Sequence, residues 1–308
     1  MKEKIIRVII FFLILILLMI IISYPFIPKN NSAEAGMHDP DVYGILGEPD
    51  NTIDVIIYGD SESITSFIPL KMWNEYGYTS YICGTAGQVM PAVVKAILKT
   101  TKNQAPKYII LETNNMFIPA GISAPLAKIA NSVFPVLEYH DRWKELKTED
   151  IFGKINYTKT RDDKGYHYMG EVTPIDDAGY MAYSEDIQEI AIEHQMYVEL
   201  IKKYCDSKEI ELILMSAPNT KNWTYQKHNG LDMFCKKTGI EYIDFNIITK
   251  EIGIDWSQDT GDYGEHVNIN GARKVTSYLG KYLHSKGKLM NHKNDRRYGE
   301  WNKLTGIY

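Results

Sequence analysis

A chain of 308 residues with 44% hydrophobic and 24% charged side chains can bury a sizeable core, which excludes a disordered or fibrous protein. Its formal net charge of -5, with both signs mixed along the sequence, leaves no basic stripe of the kind nucleic acid requires. Nucleic acid is set aside as a partner.

The first element is the most apolar. Lys2, Lys4 and Arg7 precede an unbroken apolar run from Val8 to Ile22, continued by Tyr24, Phe26 and Ile27. With its flanks the run reaches the ~20 residues that a helix rising ~1.5 Å per residue needs to cross a hydrocarbon core. Basic residues concentrate ahead of it and only Lys29 lies close behind. The positive-inside bias then sets the amino terminus in the cytoplasm and the rest outside, as a single-pass protein of the cell membrane. Ala33-Glu34-Ala35 is a small-x-small triplet of the sort a signal peptidase cuts. It stands well beyond a run that is already long for a signal sequence, so an uncleaved anchor is favoured. The expected division is a cytoplasmic terminus and anchor over 1–28, an acidic, proline-containing linker over 29–51, an α/β domain over 52–288 and a tail over 289–308.

Within the domain, strand-like runs alternate with helical ones, which predicts a parallel sheet covered by helices. The predicted strands are Ile53 to Tyr58, Thr79 to Ile82, Tyr108 to Leu111, Glu211 to Met215 and Glu241 to Ile243. Val89, Ala92, Val93, Ala96 and Ile97 recur at helical spacing before the third strand. Ile187, Ile190, Ala191, Val198, Ile201 and Cys205 do so before the fourth, with Asp186 as the expected cap of that helix. Ala272, Val275, Leu279 and Leu283 give a last helix. From 113 to 185 the alternation fails, interrupted by Pro119, Pro125, Pro135 and Pro174, which predicts an insertion over the site. Its aromatic and cationic stretches, around His140-Asp-Arg142-Trp143 and Lys164-Gly-Tyr-His167-Tyr168, would suit a sugar or an anionic polymer. The three cysteines, Cys83, Cys205 and Cys235, read as buried free thiols, since an odd number without metal-ligand spacing builds no framework.

Chemistry concentrates at two points. Gly59-Asp60-Ser61 follows the first strand, where a tight turn holds a hydroxyl at the carboxyl edge of a sheet. Asp262-Tyr-Gly-Glu-His266-Val-Asn268 precedes the last helix. A serine needs an assisting base to be a nucleophile at neutral pH, and His266 oriented by Asp262, or by the more distant Asp259, would supply it. Gly84 or Gly87 after the second strand, and Asn114 or Asn115 after the third, leave the same edge and are the candidate oxyanion donors. No cofactor and no metal are expected. A metal-dependent alternative could draw on His140, His167, His194 and the many acids, but His194 sits within the long helix and the other two lie in the irregular insertion without a paired ligand at helical spacing.

These blocks resemble the SGNH (GDSL-type) hydrolase superfamily. Tyr58-Gly-Asp-Ser-Glu62, Leu70-Lys-Met-Trp73-Asn-Glu-Tyr-Gly77, Gln104-Ala-Pro-Lys107, Ile254-Asp-Trp256 and His266-Val-Asn-Ile-Asn-Gly271-Ala-Arg-Lys-Val-Thr276 are similar to a membrane-anchored Gram-positive branch. That branch is distantly related to the DltD and alginate O-acetylation proteins. The resemblance covers about residues 51 to 286. It implies a three-layer flavodoxin-like α/β fold and serine esterase or O-acyltransferase chemistry on acyl groups of a cell-surface polysaccharide or teichoic-acid-like polymer. A membrane acyltransferase would supply the acyl donor, and the tail would pack back near the site. Tyr263 occupies the place, three residues before the histidine, where the superfamily usually has its aspartate. This displaced acid motivates the alternative of a catalytically inactive polymer-binding or scaffold protein of the cell envelope.

Overall fold

A computed structural model describes residues 2–117, 130–131, 134–304 and 306. Pro119 and Pro125 of the expected insertion lie outside the described residues. The chain forms two compact units, one of Met1–Pro40 with Gly121–Lys159, the other of Asp41–Ala120 with Thr160–Tyr308.

In the first unit, helix α1 (Lys2–Phe26) is long and apolar enough to cross a membrane, and its apolar side chains are exposed along its length. Its carboxyl-terminal end is tied to the chain around residue 150. The Tyr24 hydroxyl donates to the Gly153 carbonyl at 2.7 Å, and Arg142 Nη1 donates to the Phe26 carbonyl at 2.6 Å. Arg142 is itself buried against Asp150 at 2.8 Å. Ala33–Ala35 is a single 3-10 turn capped by the Ser32 side chain.

The second unit is built on five parallel strands in the order β2-β1-β3-β4-β5, the flavodoxin-like arrangement. They are β1 (Val55–Gly59), β2 (Ser80–Gly84), β3 (Tyr108–Glu112), β4 (Glu211–Ser216) and β5 (Glu241–Asp244). Each predicted strand is present within a residue or two. Parallel strands need a crossover between them, and both sheet faces are consequently covered. Val55, Ile57, Tyr108, Ile110, Ile213 and Met215 form one face, buried with Phe67, Met72, Val275, Leu279 and Leu283. Phe67 directly follows α2 (Ser61–Ser66), and the other partners come from α3 (Pro69–Tyr76) and α7 (Ile269–Ser285), with α7 packed on both α2 and α3. The opposite face meets α4 (Met90–Thr100), where the Tyr58 hydroxyl and Thr100 Oγ1 lie 2.6 Å apart, and α4 packs on α5 (Ile192–Ser207). Helix α6 (Tyr225–Thr238) packs beside β5.

Three expectations change. Helix α5 begins at Ile192, not at Asp186, because the Gln188 N–H is spent on the Gln226 carbonyl at 3.0 Å and the segment before Ala191 stays non-helical. The expected insertion is not one block. Residues 121–159 belong to the first unit, while 160–185 are sewn into the second. There the Ile82 N–H donates to the Lys164 carbonyl at 2.9 Å, so this segment covers the free edge of β2. The tail, finally, docks at the amino-terminal edge of the sheet, away from the strand ends that carry Ser61. His292 Nε2 lies 3.1 Å from an Asp54 oxygen just before β1, and Tyr298 and Trp301 pack on buried Trp73. All three cysteines are buried free thiols, and burial raises the pKa of each.

Candidate active site

Strand β1 delivers Gly59 to the carboxyl edge, and α2 starts two residues later. Gly59 is required by packing, since a Cβ there would lie 2.5 Å from the Glu112 Cβ at the end of β3. Asp60 is the N-cap of α2, its carboxylate accepting the Glu62 N–H at 3.3 Å, and this places Ser61 at the first helical position. The Ser61 hydroxyl is half-buried and donates to Glu62 Oε2 at 3.1 Å.

Beneath the serine lie three acids. Asp60, Glu62 and Glu112 are all buried, and Asn114 Nδ2 donates to Asp60 Oδ2 at 3.0 Å and to Glu62 Oε1 at 3.1 Å. Asn219, after β4, donates to the same Glu62 oxygen at 2.8 Å. Burial, then Glu62 alongside, pushes the Asp60 carboxyl up to about 8. Burial, with the Asp60 and Glu62 carboxyls, holds Glu112 well above the usual carboxylate range. Lys227 on α6 faces this cluster; burial lowers its pKa, and the three acids oppose that fall.

Asp60 therefore links stability to pH with a definite sign. Its carboxyl keeps a proton in the folded protein up to about pH 8 but loses it near 3.8 when unfolded. The unfolded chain binds fewer protons across that window, so this contribution is whole below pH 4 and is lost as pH rises towards 8. The urea midpoint of the α/β unit should fall across that range, and Asp60→Asn should flatten the fall. An unchanged slope in the variant would place the proton elsewhere.

The histidine is carried by a tight loop between Thr260 and Val267, which form an antiparallel bridge. His266 Nδ1 lies 2.5 Å from Asp262 Oδ2, and the His266 N–H donates to Asp262 Oδ1 at 2.7 Å. Both carboxylate oxygens are thus committed to one residue. The four-residue spacing closes because Tyr263 (φ 61°) and Gly264 (φ 90°) are both left-handed, folding the additional residue outwards. Gly264 has a second reason to be glycine, as a Cβ would lie 2.0 Å from Thr220 Oγ1. With Nδ1 donating to Asp262, Nε2 is the acceptor, and it is buried without a hydrogen-bond partner among the described residues.

Asp259, the other candidate acid, is engaged elsewhere. It pairs with Lys274 at 2.5 Å and accepts the Asp255 N–H at 2.7 Å. Asn268 is structural: its Oδ1 caps α7 at the Asn270 N–H, 3.0 Å away, and its Nδ2 holds the carbonyls of Gln258 and Glu171.

The two halves are joined through the loop after β4. Asn219 grips Glu62 beside the serine, and its neighbour Thr220 donates its N–H to the Gly264 carbonyl at 2.8 Å, two residues before His266. The segment from 160 to 185 holds the histidine loop from the other side. Thr173 N–H reaches the Thr260 carbonyl at 2.9 Å, and Ile269 N–H the Met169 carbonyl at 2.7 Å. Ser61 and His266 do not hydrogen-bond each other here, because the hydroxyl is turned to Glu62.

The expected oxyanion donors divide. Gly84 is packed against Ser63 and the Gly59 carbonyl, while Gly87 is left-handed and open around its Cα. Asn114 spends its amide N–H groups on the acids, and Asn115 donates to the Gln88 carbonyl at 3.3 Å. Asn114 thus has both amide N–H groups committed to the acids, whereas Asn115 has one of its two committed to Gln88. Glu112, Asn219 and Lys227 were not singled out by sequence. A carboxylate closing an otherwise apolar strand was the one signal available for the first.

Of the three histidines of the metal-dependent alternative, His194 is buried with Nδ1 2.6 Å from the Met116 carbonyl, and His140 Nδ1 lies 3.1 Å from the Leu137 carbonyl. Among the described residues, Asp262, Glu265 and His266 bring ligand atoms within 4.8 Å of one another, and His266 Nδ1 is there committed to Asp262.

No family model matches the sequence, and no curated protein matches it. Among solved structures it is similar to the esterase EstA from Pseudoalteromonas sp., inhibited by monoethylphosphonate, at 9% identity over 76% of this chain and 97% of that one, TM-score 0.41. It is also similar to a GDSL-like lipase from Bacteroides thetaiotaomicron, at 9% identity over 76% and 88%, TM-score 0.37. A third is the acetyl xylan esterase Est2A from Butyrivibrio proteoclasticus, at 8% identity over 77% and 65%, TM-score 0.34. Sheet order and strand register, rather than these distant likenesses, define the fold.

Proposed function

We propose that this protein is a membrane-anchored SGNH-type serine esterase or O-acyltransferase, of the branch related to DltD and alginate O-acetylation proteins. It acts outside the cytoplasm on acyl groups of a cell-surface glycopolymer. The observation that carries the proposal is the His266 ring, clamped through Nδ1 by Asp262 with Nε2 buried and unspent, on a loop bonded to the one that grips Glu62 beside Ser61.

In the reaction, the Ser61 hydroxyl turns from Glu62 and attacks the acyl carbonyl while Nε2 takes its proton. Asp262 stabilises the imidazolium that forms. Collapse of the tetrahedral intermediate passes that proton to the departing alcohol and leaves acyl-Ser61. Water or a sugar hydroxyl then repeats the sequence in reverse, so hydrolysis and transfer differ only in the acceptor. A membrane acyltransferase would load the donor.

The test offers the full chain in detergent an O-acetylated polysaccharide, with and without an unacetylated glycan acceptor. Acetate release, or acetyl transfer to the glycan, that depends on Ser61 supports the proposal. Equal release by Ser61→Ala contradicts it. The Ser61-to-Glu62 hydrogen bond favours one other reading, a scaffold that binds polymer without turning it over. That reading expects polymer binding with no turnover in either protein.

A further inference from the structure

The first unit carries a second feature beside the end of α1. Residues 134–159 fold as short turns, among them Pro135–Glu138, His140–Lys144 and Thr148–Phe152, each of which lies against α1. They are attached to the last turn of the helix and to the residues just after it, where the Asn156 N–H donates to the Lys29 carbonyl at 2.8 Å. The Val136 N–H donates to Ser23 Oγ at 3.2 Å, Tyr24 OH to the Gly153 carbonyl, and Arg142 to the Phe26 carbonyl. Buried Arg142 and Asp150 pin the turns to one another.

A collar held this way would ordinarily turn its apolar side chains inwards. Here they point out: Phe152 is 80% exposed and Trp143 63%, with Leu137, Ile151 and Ile155 also exposed. Five such side chains around one helix end are not scattered surface residues. The helix fixes what they meet. Its unbroken apolar run ends at Ile22 and gives way to the mixed flank Ser23-Tyr-Pro-Phe26, which in a spanning helix lies near the boundary between hydrocarbon and headgroups, the depth at which tryptophan and tyrosine concentrate. The collar is bonded to those residues and stands at the same depth.

We infer that residues 134–159 form an interfacial collar that inserts Trp143, Phe152 and their apolar neighbours into the bilayer α1 crosses. This rests on the reading of α1 as a membrane anchor. The occupant is lipid, recognised by apolar contact rather than by charge. The segment holds five basic residues (Arg142, Lys144, Lys147, Lys154, Lys159) and five acidic ones (Glu138, Asp141, Glu145, Glu149, Asp150), so no net charge draws it to anionic headgroups. Its effect is to fix the helix end against the membrane surface by a second attachment.

The experiment reconstitutes the full chain in phosphatidylcholine vesicles with plain or brominated acyl chains and compares tryptophan emission of wild type and Trp143→Phe. Trp73, Trp223, Trp256 and Trp301 are 0%, 3%, 4% and 2% exposed and sit out of the quencher's reach. The inference predicts a loss of emission in brominated vesicles that disappears in Trp143→Phe, weakens in Phe152→Ser, and does not change with salt or added phosphatidylglycerol. Flotation after alkaline carbonate reports the anchor separately. A protein that floats but shows no Trp143-dependent quenching keeps its anchor and overturns the collar. Quenching that requires anionic lipid overturns the apolar contact. A protein that does not float overturns the anchor and the collar with it.

Discussion

Ser61→Ala should reduce acyl-ester turnover by about 10^4- to 10^6-fold, the loss expected when the nucleophile of a cooperating serine and histidine is removed. The fold should not notice. The Ser61 side chain contributes one hydrogen bond, to Glu62 Oε2, while Glu62 Oε1 keeps both Asn114 and Asn219. A change in stability within about 1 kcal/mol is therefore expected, and urea unfolding checks it. Loss of turnover without loss of stability assigns the hydroxyl to chemistry. Retained turnover would remove Ser61 from the reaction.

Asp262→Asn should lower kcat by about 10^4-fold, for a reason that can be separated from folding. An asparagine amide that donates to Nδ1 makes that nitrogen the acceptor and puts the ring proton on Nε2, which can then no longer take a proton from Ser61. Asp259→Asn provides the contrast. Asp259 is 1% exposed and pairs with Lys274 at 2.5 Å, but the Lys274 side chain is 36% exposed and can be solvated when the partner is lost, so the substitution should cost stability of about 1–3 kcal/mol while leaving the tautomer of His266 intact. The two variants should thus separate: one stable and inactive, the other weakened in urea with its kcat retained at low temperature. Kinetics and unfolding curves on both proteins decide it. Loss of kcat in Asp259→Asn, with Asp262→Asn active, would reverse the assignment of the acid.

Much of this is legible in the sequence alone, and for physical reasons. Runs such as Ile109-Ile-Leu111 and Leu212-Ile-Leu214 are buried on both faces, which requires continuous apolarity rather than alternation. Helix α7 was readable because Ala272, Val275, Leu279 and Leu283 form one stripe, and all four are buried. The Gly59-Asp60-Ser61 turn and the Asp262 to His266 loop were readable because local backbone needs dictate their residues. What failed depended on distant partners. Ile187 and Ile190 continue the periodicity of α5, yet a hydrogen bond to Gln226 holds Gln188 outside the helix. Nothing local says that residues 160–185 brace the histidine loop, or that His292 reaches Asp54. Glu62 is next to Ser61 in sequence, but its role as acceptor of the serine hydroxyl depends on Asn114 and Asn219, which come from two other strand ends.

The most direct measurement is the mass of the Ser61-containing peptide after the full chain meets an activated acyl ester and is quenched in acid. An acyl-Ser61 intermediate predicts a mass increase equal to one acyl group on that peptide, absent from Ser61→Ala and formed far more slowly in His266→Ala. An unmodified Ser61 peptide in wild-type protein that is turning over the ester would contradict covalent catalysis at this residue.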